Sequence, residues 1–261
     1  MAYFEAAPPA RLGEFVERVC FSSDEGSGPP PGVRVVPDGA IDVLFSIAPS
    51  GACDARVFGL KTRPLWVQTP EPRENVLLRL RAGAATRLFG LAASELTDRA
   101  PSLAELVGGR AAEWCARLAE SPGTIERAET LERTLGAWGW GAARAADPDD
   151  ALLHAAVSAI RRSRGSLPIA ELAATLRVGP RRLERLFQAR VGAAPKSFAR
   201  VVRFFAAYQS LQAGRDPLAA ALAHGYFDQA HLNRDFRRLA GAPPRRIFPS
   251  EHAGEVDSLR A

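Results

Sequence analysis

Nowhere in the 261-residue chain does an apolar run approach the ~18 residues that a membrane-spanning helix needs, so no such helix and no membrane partner are expected. The opening MAYFEAAPPARLGEF lacks a basic stretch leading into an apolar one and does not read as a secretory leader. Cysteine is scarce: Cys20, Cys53 and Cys115 are odd in number and far apart. That spacing argues against a disulfide framework or a clustered zinc site, and it fits a reducing cytoplasm, the expected location. Histidine is absent from the first half. His154, His224, His231 and His252 all lie beyond residue 150, which leaves the N-terminal half no imidazole for a metal. There is no glycine-rich phosphate loop, no G-x-S-x-G and no H-x-x-x-H, and the serine of GLAASELTD has no nearby histidine. The expectation is a protein without catalytic activity, metal or cofactor.

What is present is an ordinary globular composition, 47% apolar and 24% charged. The charge is unevenly divided. Counting Lys and Arg against Asp and Glu, residues 1–150 sum to −5 and residues 151–261 to +10, which together give the overall +5. A mildly acidic half joined to a strongly basic one suggests that only the second meets a polyanion, although a solvated basic surface has the same composition.

The small, turn-rich segment GWGAARAADPDD, residues 139–150, reads as a boundary. Before it, GVRVVPDGAIDVLFSI, ARVFGLKTRPLWVQ and ENVLLRLRAG are rich in Val, Ile, Leu and Phe, interrupted by Pro, Gly and Asp, and read as strands. In the last of these, Val76, Leu78 and Leu80 share one face and Arg79 and Arg81 the other. From residue 84 to 138 the spacing becomes helical, with Ile125, Ala128, Leu131 and Leu135 forming one stripe. After the boundary no strand is expected. Helices are predicted near 150–163, 168–176, 180–190, 195–213, 216–223 and 228–239, with a last turn near 244–248.

The second half repeats itself. Leu183, Arg185, Phe187, Gly192 and Pro195 recur as Leu232, Arg234, Phe236, Gly241 and Pro244, each 49 residues on, while Ala173 and Ala221 match at 48. Each copy has a short helix, a turn holding Gly179 or Gly225, and a second helix whose apolar stripe is Leu183, Leu186 and Phe187 or Leu232, Phe236 and Leu239. Ala173 and Ala221 are small where two helix backbones would cross. Gly192 and Gly241 suit a left-handed stop. This is a helix-turn-helix, twice. With the stripes turned inward, Arg181, Arg182, Glu184, Arg185 and Gln188 point outward in the first copy. Gln229, Ala230, His231, Asn233 and Arg234 lie on the outside or flanks of the second. Arg can pair with guanine, and Gln or Asn with adenine, in the major groove. Any one of these positions could equally be plain solvated helix.

LERLFQARVGAAPKSF and GYFDQAHLNRDFRRLAGAPPRRIF resemble the DNA-binding domain of AraC/XylS-type transcriptional regulators over about residues 155–249. The likeness rests on Gly225-Tyr226, Arg234 to Phe236, Gly241 and Pro244. It departs at Gly179, where a Ser or Thr cap is usual, and at Tyr226 and Leu232, where Phe is usual. The resemblance implies two helix-turn-helix units joined by one long helix, reading successive major grooves about 34 Å apart. VVPDGAIDVLFSI and LRAGAATRLFGLAASELTD resemble more weakly a sensor region of a subgroup of these regulators. The expected architecture is therefore an α+β sensor-like domain, a small sheet or barrel plus helices, at residues 1–145. An all-α double helix-turn-helix domain follows at 151–250, with a tail at 251–261.

The expected function is sequence-specific DNA binding in transcription regulation, modulated through the first half. Promoter DNA is the expected partner, with RNA polymerase, a small-molecule effector and a second copy as further partners. Trp66, Arg79 and Arg81 are the effector-binding candidates. Trp138 and Trp140 could join them, though tryptophans are more often core. Asp38-Gly39 reads best as a simple turn, and Cys115 as a small buried hydrophobe. Two other readings stay open: a redox or alkylation sensor using the cysteines, and a protein-binding adaptor with weak DNA affinity. Salt-dependent duplex binding with sequence preference would separate the adaptor from the regulator.

Overall fold

The computed structural model describes residues 2–23, 33–67, 73–137 and 147–249. The first half is built on a five-stranded antiparallel sheet of β1 (Ala2–Ala6), β2 (Val16–Ser23), β4 (Ile41–Ile47), β5 (Cys53–Phe58) and β7 (Glu74–Leu80), in the order β1-β2-β7-β4-β5. A separate two-stranded sheet pairs β3 (Val33–Val35) with β6 (Leu65–Val67). Register explains the inner face. Val19, Leu78, Val43 and Val57 stand side by side across four strands, and Phe21, Val76, Phe45 and Ala55 form the next row. All eight are buried. Cross-strand apolar rows of this kind hold a sheet together and pin its register.

The strands expected around residues 33–67 and 74–80 are present, whereas β1 and β2 had no clear sequence signal. In β2, VERVCFSS, the run Val19-Cys20-Phe21 is buried on both faces, so the alternation that marks a half-buried strand is missing. The helical stretch after residue 84 resolves into α1 (Ala84–Phe89), α2 (Leu103–Val107), α3 (Arg110–Glu120) and α4 (Thr124–Ala137), with a 3-10 turn at Ala93–Glu95. The stripe expected on α4 is only partly right. Leu131 and Leu135 are buried, but Ile125 is 74% exposed at the first turn. Thr130 and Thr134 are buried instead, and the Thr130 hydroxyl satisfies itself against Ser121 Oγ at 2.8 Å.

The second half contains helices alone among its described residues: α5 (Pro148–Arg162), α6 (Ile169–Thr175), α7 (Pro180–Arg190), α8 (Pro195–Gln212), α9 (Pro217–Ala223), α10 (Gln229–Ala240) and α11 (Pro244–Ile247). These match the predicted helices to within about two residues at each end. Packing divides the molecule differently from chain order. One continuous core runs from the sheet through α5, α6 and α7 to Phe198 and Ala199 at the start of α8. A second core, around Val201, Phe204, Ala207, Leu232 and Phe236, holds the last helices and takes in Val36 from the first half. The long helix α8 thus begins in one core and ends in the other.

Candidate nucleic-acid interface

Helices α6 and α7 form the first helix-turn-helix, α9 and α10 the second. In α7, Leu183, Leu186 and Phe187 are buried; in α10, Leu232, Phe236 and Leu239 are. Ala173 and Ala221 are buried as the repeat requires, and both glycines that follow the recognition helices have positive φ, 97° at Gly192 and 77° at Gly241. The two copies start their recognition helices by different means. Gly179 offers no side-chain cap, and Pro180 presets the first turn of α7. Asp228, whose role was not anticipated, caps α10 by accepting the His231 N–H at 2.6 Å. Asp216 does the same for α9, accepting from Leu218 and Ala219 at 2.9 and 3.0 Å.

With the stripes inward, Arg181, Arg182, Glu184, Arg185 and Gln188 are all exposed along α7. On α10, Ala230 and Arg234 are exposed, while Gln229, His231 and Asn233 are half-buried along its outer side and flanks. The His231 ring meets the Tyr226 ring edge-on at 5.0 Å, so it also packs against the turn. Beneath this surface, the buried carboxylate of Asp235 faces Arg200 at 3.6 Å, and the Arg203 guanidinium lies over the Tyr226 ring at 5.2 Å. Burial, with the Asp235 charge beside it, pushes the Tyr226 phenol well above its ordinary range. The phenol is therefore neutral.

The sensor-like half grips the far end of α7. Thr97 Oγ1 donates to the Gly192 carbonyl at 2.6 Å, Thr86 Oγ1 to the Ala189 carbonyl at 3.0 Å, and the Gly83 N–H to the Arg190 carbonyl at 3.2 Å. A helix leaves its last carbonyls without partners inside itself, and here the first half supplies them. Arg190 is held by Asp147 and, at 2.5 Å, by Asp150; these contacts outweigh its partial burial and raise its pKa. Arg182 reaches Asp149 at 2.9 Å. The acidic first turn of α5 therefore faces arginines of the first recognition helix.

The sequence family described as a helix-turn-helix domain matches residues 172–249, the span just built from the two recognition units. The chain carries an AraC-type helix-turn-helix domain. It is a DNA-binding transcription regulator. Residues 4–102 match a second family, described as a domain of unknown function (DUF6597). No curated protein matches the chain by sequence. Among solved structures, ToxT from Vibrio cholerae O395 is similar at 7% identity and a TM-score of 0.45, over 87% of this chain and 96% of that one. Another structure of ToxT from Vibrio cholerae is similar at 10% identity and a TM-score of 0.45, over 87% and 97%. Unsaturated fatty acid bound wild-type ToxT gives 10% identity and a TM-score of 0.42, over 94% of each chain.

The three effector candidates have separate partners in the regulator. Trp66 is exposed, with the Arg34 guanidinium over its ring at 4.7 Å. Arg81 donates to the Gly13 carbonyl at 2.6 Å. Arg79 is clamped between Asp38 and Asp42, the latter at 3.1 Å; burial disfavours its charge, but the two carboxylates prevail and raise its pKa. Trp138 and Trp140 lie outside the described residues. Asp38 is more than a turn residue. Its carboxylate accepts the Ala40 N–H at 3.2 Å and also pairs with Arg79. Gly39, at φ 79°, lets the turn lie against Phe198 and Val202 of α8, and its carbonyl accepts from Arg161 at 3.4 Å. Asp38 opens onto a cavity of about 450 Å³ shared with Arg161, Arg164, Phe205, Gln209 and His224. Among the described residues no helix is long and apolar enough to cross a membrane.

Proposed function

We propose that this regulator acts in the cytoplasm by reversible, sequence-specific binding to duplex DNA, with α7 and α10 as its two reading elements. The observation that carries the reading is the pair of recognition helices set at the two ends of α8, both with polar outer faces and buried apolar stripes, the stripe of α10 joined by Asp235. An 18-residue helix rises about 27 Å, in scale with the ~34 Å between successive turns of one groove. Arginines fix register on the phosphates, and Arg181, Arg185, Gln229 and Asn233 select bases. Selection of duplexes from a random pool by the full chain tests this. Enrichment of a site with two elements about one helical turn apart is expected, and a pool that stays random overturns it.

Modulation by a small effector is the second part of the proposal. The cavity beneath Asp38 supports it, because its lining joins the sensor-like half to α5, α8 and the turn before α10. A ligand there would contact the first half together with the helix that joins the two helix-turn-helix units. A thermal-shift screen of small organic acids and amides against the full chain and Ala206→Phe, which narrows the cavity, is the check. Compounds that stabilise only the unsubstituted chain support the reading, and compounds that stabilise both chains equally remove it.

A further inference from the structure

The described part of the sensor-like half brings together two cysteines that stand 62 residues apart in sequence. Cys53 opens β5, just beyond the hairpin turn at residues 48–52, and Cys115 lies in the middle of α3. Their sulfurs are 2.8 Å apart, with Cys53 the donor, and both are free thiols. A disulfide bond is about 2.05 Å long, so closure needs a movement of under about one ångström. Cys53 is partly exposed and gives a small oxidant access, whereas Cys115 is buried on the apolar side of its helix beside Trp114 and Leu118. Cys20, the third thiol, is buried on β2.

We propose that Cys53 and Cys115 form a reversible dithiol–disulfide site that a hydroperoxide oxidises. The Cys115 thiolate attacks the terminal peroxide oxygen. The O–O bond breaks, a sulfenic acid forms on Cys115, and the remaining oxygen takes up a proton and leaves as an alcohol, or as water when hydrogen peroxide is used. The Cys53 sulfur then attacks the Cys115 sulfur, the S–O bond breaks, and water leaves with the Cys53 proton. The two thiols lose two electrons and two protons, and the peroxide gains them. A small dithiol reverses the step by exchange. The hydrogen bond from Cys53 lowers the Cys115 pKa, and the same bond, with burial second, raises that of Cys53. Cys115 is thus the thiol that ionises and Cys53 the one that keeps its proton until the second step. The bond would tie α3 to β5, the edge strand of the sheet.

The test uses the full chain, treated with hydrogen peroxide, quenched in acid, denatured and alkylated. Intact mass should show two thiols protected and two hydrogens lost, and peptide mapping should place the bond between Cys53 and Cys115. Dithiothreitol should restore three labelled thiols. Cys53→Ser should form no intramolecular bond and should retain an oxygen adduct on Cys115 that dimedone traps; this variant, at the less buried of the two positions, serves even if Cys115→Ser fails to fold. Three freely alkylated thiols after peroxide treatment, a bond to Cys20, or only intermolecular bonds would each overturn the proposal.

Discussion

Thr97 donates its hydroxyl hydrogen to the Gly192 carbonyl at 2.6 Å, across 95 residues of sequence. This contact brings the loop after the 3-10 turn of the sensor-like half onto the end of the first recognition helix. Gly192 is needed there twice over. Its φ of 97° disfavours any side chain, and a Cβ would stand 2.7 Å from Thr97 Oγ1 and 2.9 Å from the Ala93 carbonyl. Gly192→Ala should therefore destabilise the regulator by about 2–4 kcal/mol, strain and clash together. Gly214→Ala, with φ 83° but nothing near its Cβ, should cost only about 1–2 kcal/mol. Urea unfolding of both variants checks this, and equal losses would mean that the close approach is unimportant.

In the second helix-turn-helix, apolar and polar residues should separate by experiment. Leu232→Asp buries a carboxylate at a fully enclosed position and should lower stability by about 3 kcal/mol or more, weakening all binding. Gln229→Ala should stay within about 0.5 kcal/mol of the unsubstituted chain and lose only DNA affinity or preference. His231→Ala should fall between, losing about 0.5–1.5 kcal/mol with its contact to Tyr226. Melting curves and binding isotherms on the same three proteins decide it. If Gln229→Ala melted as early as Leu232→Asp, the stretch would be structural.

Arg181 and Arg185 stand one helical turn apart on the exposed side of α7. Replacing either by Ala should cost about 1–3 kcal/mol on a preferred duplex and relax preference there. Arg182, paired with Asp149 at 2.9 Å, should instead weaken binding evenly over all sequences. An even loss for Arg185→Ala would reassign it to the phosphates. Binding should also weaken steeply with added salt, because arginines on phosphates release condensed counterions.

Acid should destabilise the protein through His224. Its ring is buried, Nε2 is bound to Ser210 Oγ at 2.7 Å, and burial followed by the Arg164 and Arg215 charges lowers its pKa below the ordinary 6.5. The unfolded chain then binds the proton more readily. The stabilising effect is complete above about pH 6.5 and is lost as pH falls through the unfolded and then the folded pKa. Unfolding free energies from about pH 7.5 down to about 5 should decline less for His224→Gln than for the unsubstituted protein. Parallel slopes would show that His224 does not titrate there.

A fragment from residue 147 onward should still bind duplex DNA with the full salt dependence, since both recognition helices lie within it. It should also melt earlier than the full chain, because the Ala189 and Arg190 carbonyls of α7 lose Thr86 and Gly83 as partners and the Gly192 carbonyl just beyond the helix loses Thr97. Loss of binding to a tandem site even at high protein concentration would show that the two halves are one folding unit.

The helices of the second half were legible because each is written locally. Inner stripes recur at three- and four-residue spacing, glycines stop the recognition helices, and duplication presents every signal twice, so two noisy copies support each other. The sheet was legible only where strands have one wet face. Val76, Leu78 and Leu80 share a buried face opposite Asn75, Leu77, Arg79 and Arg81 and were read correctly, whereas β2, buried on both sides, was not. Ile125 misled because periodicity marks an apolar residue without saying whether anything will cover it.

By itself, then, the sequence determined the helix-turn-helix pair, its inward stripes and the basic balance of +10 that suits a polyanion, all consequences of local spacing and composition. Tertiary structure alone decided which distant groups meet. Arg79 has the look of a ligand-binding residue on an exposed strand face until Asp38 and Asp42 close on it. Cys53 and Cys115 are two unrelated thiols until β5 and α3 pack. The grip of Thr97 on Gly192 has no counterpart in the sequence pattern. Such pairings depend on closing loops of tens of residues, and what offsets their entropy is the shared core that spans the sheet and the first helix-turn-helix, a global balance that no local pattern encodes.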